Sequence, residues 1–488
     1  MEKQEKIPNI IAIIGAIVLL VLAVVGLSYA FFSAFIKNGE TDPSIEGTGA
    51  NLSLVYTDGK SVITSSNIMP GWSATKTFTV TNNGEADTYY KLNISNITNE
   101  FVDGGLTFSI ASADGGTSVA EQAVGTTTRT ISPSITIAEG ATHTYTVTAK
   151  YINLNTDQTP DLGKSFSYTI GIEASQKPTF KDIILANNEV KTPITTPGAA
   201  VSTSSEALLA SAEDDYGTSY YFRGAVTNNY VEFANKCWRI VRIGGDNTVK
   251  LILHNENISN ASNPCSSANN STTAAFVHYD GNIYKSEFNS NYNDNAYVGF
   301  MYGTPGSTTY EATHANTNKS TILTNLETWY NNNLKTYESV IDNNVFCNDK
   351  SLSSGSGYSA NATDYAARER LYTSKIPSLK CNGELSKITS KIGLITADEL
   401  AFAGYAVRGY ITTSYLKENA TGYSWWSLSP AGFYNKSLSY VFRVRSDNDA
   451  IDICNVNVDS SVRPVISLVS SITISGVSGT SEDPYVVK

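Results

Sequence analysis

Lys76-Thr77-Phe78-Thr79-Val80-Thr81, followed at once by Asn82-Asn83-Gly84, is the stretch that decides the fold class. Polar and apolar side chains alternate over its six positions, the period of a strand buried on one face. The Asn-Asn-Gly run is a turn signal. The same signature recurs downstream at Tyr89 to Ile94, Thr142 to Tyr151 and Phe166 to Ile172. Seven or eight short strands with Gly and Asn turns, spread over residues 44–175, fit an antiparallel, Ig-like β-sandwich. The whole chain is rich in Ser, Thr, Asn, Gly and Tyr, so the expected class is a mainly β multidomain protein. About 450 further residues follow the N-terminal segment, enough for two or three domains.

Upstream of the sandwich the composition changes. Lys3 and Lys6 precede an apolar run from Ile10 to Ile36 with no acidic or basic side chain before Lys37. A hydrocarbon core about 30 Å thick needs roughly 20 helical residues, so residues 9–36 are expected to form a transmembrane helix, with 1–8 as a short cytoplasmic N-terminus. The lysines on the short side agree with the positive-inside rule. Ser28-Tyr29-Ala30 offers small residues where signal cleavage requires them. An uncleaved signal anchor and a signal peptide cut after Ala30 both fit. Either way the bulk of the chain is expected outside the cell, as a single-pass membrane protein or, if cut, as a secreted or surface-retained one.

Ser28-Tyr29-Ala30-Phe31-Phe32-Ser33, together with Met69-Pro70-Gly71-Trp72 leading into a strand, resembles the camelysin and TasA-type exported proteins of Gram-positive bacteria. That resemblance covers residues 8–175. It implies export, cleavage near Ala30 by a dedicated signal peptidase, and self-assembly into matrix fibres.

Residues 176–215 carry Pro178, Pro193, Pro197 and Gly198 among Ser, Thr and Ala, and read as a linker with short helices at 180–185 and 206–212. Residues 216–488 mix periods. Lys236 to Ile243 and Val249 to His254 flank Gly244-Gly245-Asp246-Asn247 as a hairpin. Leu323, Leu326, Tyr330, Leu334, Tyr337 and Ile341 trace one helical face. Thr396-Ala397-Asp398-Glu399 is a capping box opening a second helix. With Tyr440 to Arg445, Ile451 to Val458 and Pro464 to Val469 returning to strand, this region is expected to be an α+β domain.

Tyr220-Tyr221-Phe222-Arg223-Gly224, Trp238-Arg239-Ile240-Val241-Arg242, Gly393 to Glu399, Trp425-Trp426-Ser427-Leu428-Ser429-Pro430 and Val462-Arg463-Pro464-Val465-Ile466 occur in that order. Together they resemble an uncharacterised domain family of bacterial surface proteins, itself similar to the C-type-lectin-like and sulfatase-modifying folds. The lectin resemblance implies glycan binding through calcium, for which Asp447, Asn448, Asp449 and Asp452 are the acidic cluster in the right region. The lectin motif of Glu-Pro-Asn type is absent and a solvated turn accounts for the cluster, so no cofactor is expected. The sulfatase-modifying resemblance implies a reactive cysteine pair near the end of the domain, where Cys454 stands alone.

A net charge of −11 with 34 Lys plus Arg excludes a nucleic-acid partner, which needs a basic face. His143, His254, His278 and His314 lack the spacing of a helical zinc site, and neither a Gly-x-Ser-x-Gly elbow nor a Walker lysine loop occurs. No catalytic set is expected. Asp398 and Glu399 face different ways on a helix, and Glu399 already has its capping role. All five cysteines lie in the last domain. Cys347 and Cys381 flank the irregular stretch 351–360 and are the expected disulfide. Cys237, Cys265 and Cys454 allow one more bridge and leave an odd thiol, most easily Cys265. The candidate ligand surface is aromatic: Tyr423, Trp425, Trp426 and Phe433. Because Trp425 and Trp426 are adjacent on an extended chain, at most one of them is expected in a groove and the other in the core, and packing of both in the core is the weightier alternative. Arg239 and Arg463 are expected as internal hydrogen-bond anchors. The expected function is a non-enzymatic cell-surface protein, its sandwich a stalk or assembly unit and its last domain a binder of an extracellular glycan or protein. A matrix-fibre component and an enzyme on a sulfatase-modifying scaffold remain the alternatives.

Overall fold

The computed structural model describes residues 33–34, 54–58, 68–84, 87–102, 104–175, 178–410, 413–472, 474–475 and 478–487. Strand predominates, and the chain divides into two compact units, Met1–Pro178 and Thr179–Lys488. The apolar run and the cleavage position Ala30 lie outside the described residues, apart from Ser33–Ala34. Those two residues form a strand paired with Ile172 and Glu173, so the helix expected through 36 does not hold there. Among the described residues no helix is long and apolar enough to cross a membrane.

Among its described residues the first unit has nine strands: β1 (Ser33–Ala34), β2 (Leu54–Asp58), β3 (Trp72–Asn82), β4 (Thr88–Asn99), β5 (Leu106–Ser112), β6 (Val119–Ala123), β7 (Arg129–Ile137), β8 (Thr142–Tyr151) and β9 (Phe166–Ser175). They make two antiparallel sheets, β1-β9-β4-β7 and β2-β3-β8-β5-β6. Between the sheets lie Phe78, Val80, Tyr90, Leu92, Phe108, Tyr145 and Ile172, all buried. The alternation at 76–81 does what its period demands. Phe78 and Val80 point inward, and Thr75, Thr77, Thr79 and Thr81 face outward opposite Thr148, Thr146, Thr144 and Thr142 of β8. Such cross-strand threonine pairs each add a few tenths of a kcal/mol, of the order of 0.2–1. Asn82 does not close a hairpin but turns the chain from one sheet to the other. Its buried amide donates to the carbonyls of Ile137 and Ala138 at 3.2 and 3.1 Å, and its Oδ1 accepts from the Gly84 amide at 2.9 Å.

In the second unit the expected linker is part of the fold. Phe180–Asn187 is a helix whose capping box pairs Thr179 with Asp182, and its Phe180 and Ile184 are fully buried. Proline and small polar residues misled because the burial is carried by only two side chains. The helix expected at 206–212 is instead a strand, β10 (Ala207–Asp214), paired along its whole length with β11 (Gly217–Gly224). Glu206 is buried against Arg223 at 3.0 Å and accepts the amides of Ile194 and Thr195 at 2.8 and 3.1 Å, which ties the preceding loop down.

β12 (Tyr230–Phe233), β13 (Lys236–Ile243) and β14 (Val249–Asn255) continue this sheet, with β13 and β14 forming the expected hairpin. The sheet is completed by Val465–Leu468 beside β14 and by Tyr485–Val487, which runs parallel to β12. Tyr485 also meets the first helix: its ring lies 5.3 Å from that of Phe180, and its hydroxyl accepts from the Asn187 amide at 3.2 Å.

A second sheet centres on Trp425–Tyr434, flanked by Leu438–Val444 and Thr363–Tyr365. Helix Thr321–Asn333 buries Ile322, Leu323, Leu326, Trp329 and Tyr330 in the core that both sheets share. The helical face expected to continue to 341 stops at Asn333, leaving Tyr337 exposed in a short 3-10 turn and Ile341 buried beyond it. Helix Ala397–Phe402 opens with the expected Thr396/Glu399 capping box.

Candidate binding pocket

The aromatic surface expected from the sequence is not a surface. Trp425, Trp426 and Phe433 are fully buried, and only Tyr423 is half-exposed, with Lys285 Nζ 5.3 Å from its ring centre. The strand Trp425–Tyr434 is covered on both faces, so its alternation sends both tryptophans into packed interior. The Trp426 indole nitrogen donates to the Ser286 carbonyl at 2.7 Å, while Trp425 lies under the Arg463 guanidinium at 5.1 Å. Arg239 and Arg463 are internal anchors, both fully buried and both donating to backbone carbonyls.

The acidic cluster is consumed by ion pairs: Asp447 and Asp452 with Arg445, and Asp449 with Lys417 at 2.8 Å. Among the described residues no group of three or more His, Cys, Asp or Glu could hold a metal ion.

Glu399 does more than cap its helix. It accepts from Arg242 Nε at 2.9 Å and Lys250 Nζ at 2.6 Å, while Arg242 reaches Asp214 at 2.8 Å. Next to it Arg370 forks onto both oxygens of Asp398 at 2.8 and 3.0 Å and reaches Asp349 at 2.7 Å. The spaces between these groups are about 30 and 20 Å³, room for a water or two. The network joins strands to the helix; it is not a ligand cavity.

A real cavity, about 210 Å³, opens where β14 ends. Its floor is Glu256. One carboxylate oxygen accepts from the Trp329 indole at 2.7 Å, and the other accepts from the His278 amide at 2.5 Å and its Nδ1 at 3.0 Å. A carboxylate at Nδ1 favours a proton on that nitrogen. The walls are asparagines held by their own bonds. Asn255 donates to the Asn269 carbonyl at 2.9 Å, and Asn257, at φ 60°, donates to Asn235 and Ala261 at 3.0 Å each. Ser259 and Ser271 bring hydroxyls, and Ile258 stands 63% exposed among the lining residues. Next to His278, Tyr279 is exposed and meets Tyr284 edge to face at 4.9 Å. Among the described residues no serine hydroxyl bonds His278, so the pocket lacks the nucleophile–base contact of a hydrolase. What it offers is a set of amide and hydroxyl donors and acceptors around one carboxylate and one imidazole.

Two disulfides brace the unit. Cys347–Cys381 is the expected bridge, and Cys237 pairs with Cys265, correcting the expectation that Cys265 is the odd thiol. The odd one is Cys454, buried on a core strand, where burial pushes its thiol up and makes it a poor nucleophile. The Cys237–Cys265 bridge closes the loop that carries Asn255, Asn257 and Ser259. Replacing both cysteines by serine is expected to cost about 3 kcal/mol of stability, measured by urea denaturation. A loss below 1 kcal/mol would show that the loop is ordered without its bridge.

Glu256 and His278 stand 22 residues apart, a separation that no local pattern links, and His278 entered the sequence analysis only as a histidine without zinc-site spacing. Their one local signal was the density of asparagine around them. No protein-family model matches the chain, and no curated protein matches it.

Proposed function

We propose that this chain is an exported, non-enzymatic cell-surface protein in which the sandwich serves as a stalk or assembly unit and the second unit binds one sugar-sized ring of an extracellular glycan. The cavity over Glu256 and His278 carries this reading. At about 210 Å³ it falls below the roughly 300 Å³ where drug-sized sites begin. Its polar lining of amides, hydroxyls, one carboxylate and one imidazole suits hydroxyl groups, which need donors and acceptors in fixed places. The two disulfides fit an oxidising, extracellular setting.

The test is calorimetric titration of the full chain with a panel of monosaccharides and short glycans. At least one is expected to bind, and His278→Ala is expected to weaken it about tenfold or more, the loss of one or two buried hydrogen bonds, measured well below the variant's own unfolding midpoint. Absence of binding across the panel, or binding indifferent to His278→Ala, defeats the proposal.

A further inference from the structure

Lys350 is fully buried just beyond the strand Asn344–Cys347. Its main chain is fixed on both sides: the amide donates to Ser386 Oγ at 2.9 Å, and the carbonyl accepts from the Tyr310 hydroxyl at 2.9 Å. The amine reaches three oxygens, the carbonyls of Met301 and His314 at 3.0 and 3.2 Å and the side-chain Oδ1 of Asn316. Among the described residues no carboxylate pairs with it. Burial, with no anion to oppose it, brings the amine from 10.5 down to about 7. The His314 imidazole is neutral as well, lowered to about 3 by burial and by Lys350. At neutral pH a large share of Lys350 is therefore free amine.

A free amine has two hydrogens and a lone pair, where an ammonium has three donors. The two backbone carbonyls take the two hydrogens, which leaves the lone pair facing Asn316. The carboxamide is turned the right way for that meeting. Its Nδ2 donates to the Leu385 carbonyl at 2.9 Å, which sets Oδ1, and not the nitrogen, toward Lys350. Cγ lies one carbonyl bond, about 1.2 Å, behind that oxygen. A lysine stripped of its proton by desolvation is a nucleophile, and groups held in contact can react as if at about 10⁵ M or more.

We infer that the Lys350 amine and the Asn316 carboxamide join in an intramolecular amide bond. Nζ adds to Cγ, the Cγ–Nδ2 bond breaks, one proton passes from Nζ to Nδ2, and ammonia leaves. One amide replaces another, so neither oxidant nor co-reactant is consumed. Asn316 is only half-buried, which gives the ammonia a way out. The N–H that remains keeps a backbone carbonyl as its acceptor, and the interior no longer has to hold an unpaired cation. The bond closes residues 316–350 into a ring around helix Thr321–Asn333, whose Trp329 holds the Glu256 carboxylate of the pocket.

The experiment measures the intact mass of the purified full chain after reduction and denaturation, and maps its tryptic peptides. The wild-type chain is expected to be one ammonia lighter than its sequence requires. Trypsin is expected to pass over Lys350, and one branched peptide is expected to join the segments that carry Asn316 and Lys350. Asn316→Ala is expected to keep its full mass and to be cut after Lys350; Lys350→Met is expected to keep its full mass. A wild-type chain of full mass overturns the inference, and so does an ammonia lost elsewhere while trypsin still cuts after Lys350, whether or not either variant folds.

Discussion

Glutamine at position 399 is expected to destabilise the second unit by about 3–5 kcal/mol at pH 7, the cost of leaving buried charges without their partner. Glutamine keeps the capping geometry, because its amide oxygen still reaches the helix start, so the change isolates the charge. Lys250 and Arg242 are then left in the interior with Asp214 as the one remaining anion of the group. Burial opposes ionisation of Glu399, but Lys250, Arg242 and the Thr396 amide outweigh it and bring the carboxyl from 4.5 down to about 2. A folded-state pKa below the unfolded one gives stability that is complete above about 4.5 and is lost as pH falls toward 2, here roughly 3 kcal/mol. The gap between wild type and Glu399→Gln in urea denaturation should therefore narrow markedly between pH 5 and pH 2.5. A gap that stays constant over that range contradicts the assignment.

The second large effect is expected from Trp426→Ala, about 3–5 kcal/mol from the cavity it creates. The substitution also orphans the Ser286 carbonyl, which the indole satisfies at 2.7 Å. Trp426→Phe separates the two contributions: it keeps most of the packing against Phe288, 5.9 Å away, and loses about 1 kcal/mol for the hydrogen bond. An alanine variant within 1 kcal/mol of wild type would mean that position 426 faces solvent and would restore the aromatic surface.

Local patterns carried the fold as far as their range allowed. The period of two at 76–81 and 142–151 identified inward and outward faces because both sandwich sheets have one wet side. The capping box at Thr396 and the hairpin around Gly244 were legible for the same reason: each is settled within ten residues. Trp425 and Trp426 are both packed in the core, the weightier of the two readings of their sequence, and the groove alternative stayed open because a strand covered on both faces has no polar side to read. Residues 206–212 resemble a helix in composition, and only the full-length pairing with Gly217–Gly224 makes them a strand. The pocket was the least legible feature. Glu256, His278 and Trp329 come from three separate segments, and no spacing rule links them. The Cys347–Cys381 bridge was readable because it closes one loop, whereas the choice between Cys265 and Cys454 depended on tertiary placement: Cys265 sits in a turn against Cys237, and Cys454 lies on a buried strand.

The meeting of Phe180 with Tyr485, and of Tyr485–Val487 with β12, has a mechanical consequence. Tension applied at the two ends of the second unit passes through a clasp a few residues long, and the rest of the unit carries no load while the clasp holds. Once it parts and the unit unravels, the chain outside the two disulfide loops pays out about 800 Å. The bridges withhold the remainder, and with it the segment bearing Asn257 and Ser259. A chain under pull thus lengthens greatly in one event while the covalent ring around its pocket loop stays closed.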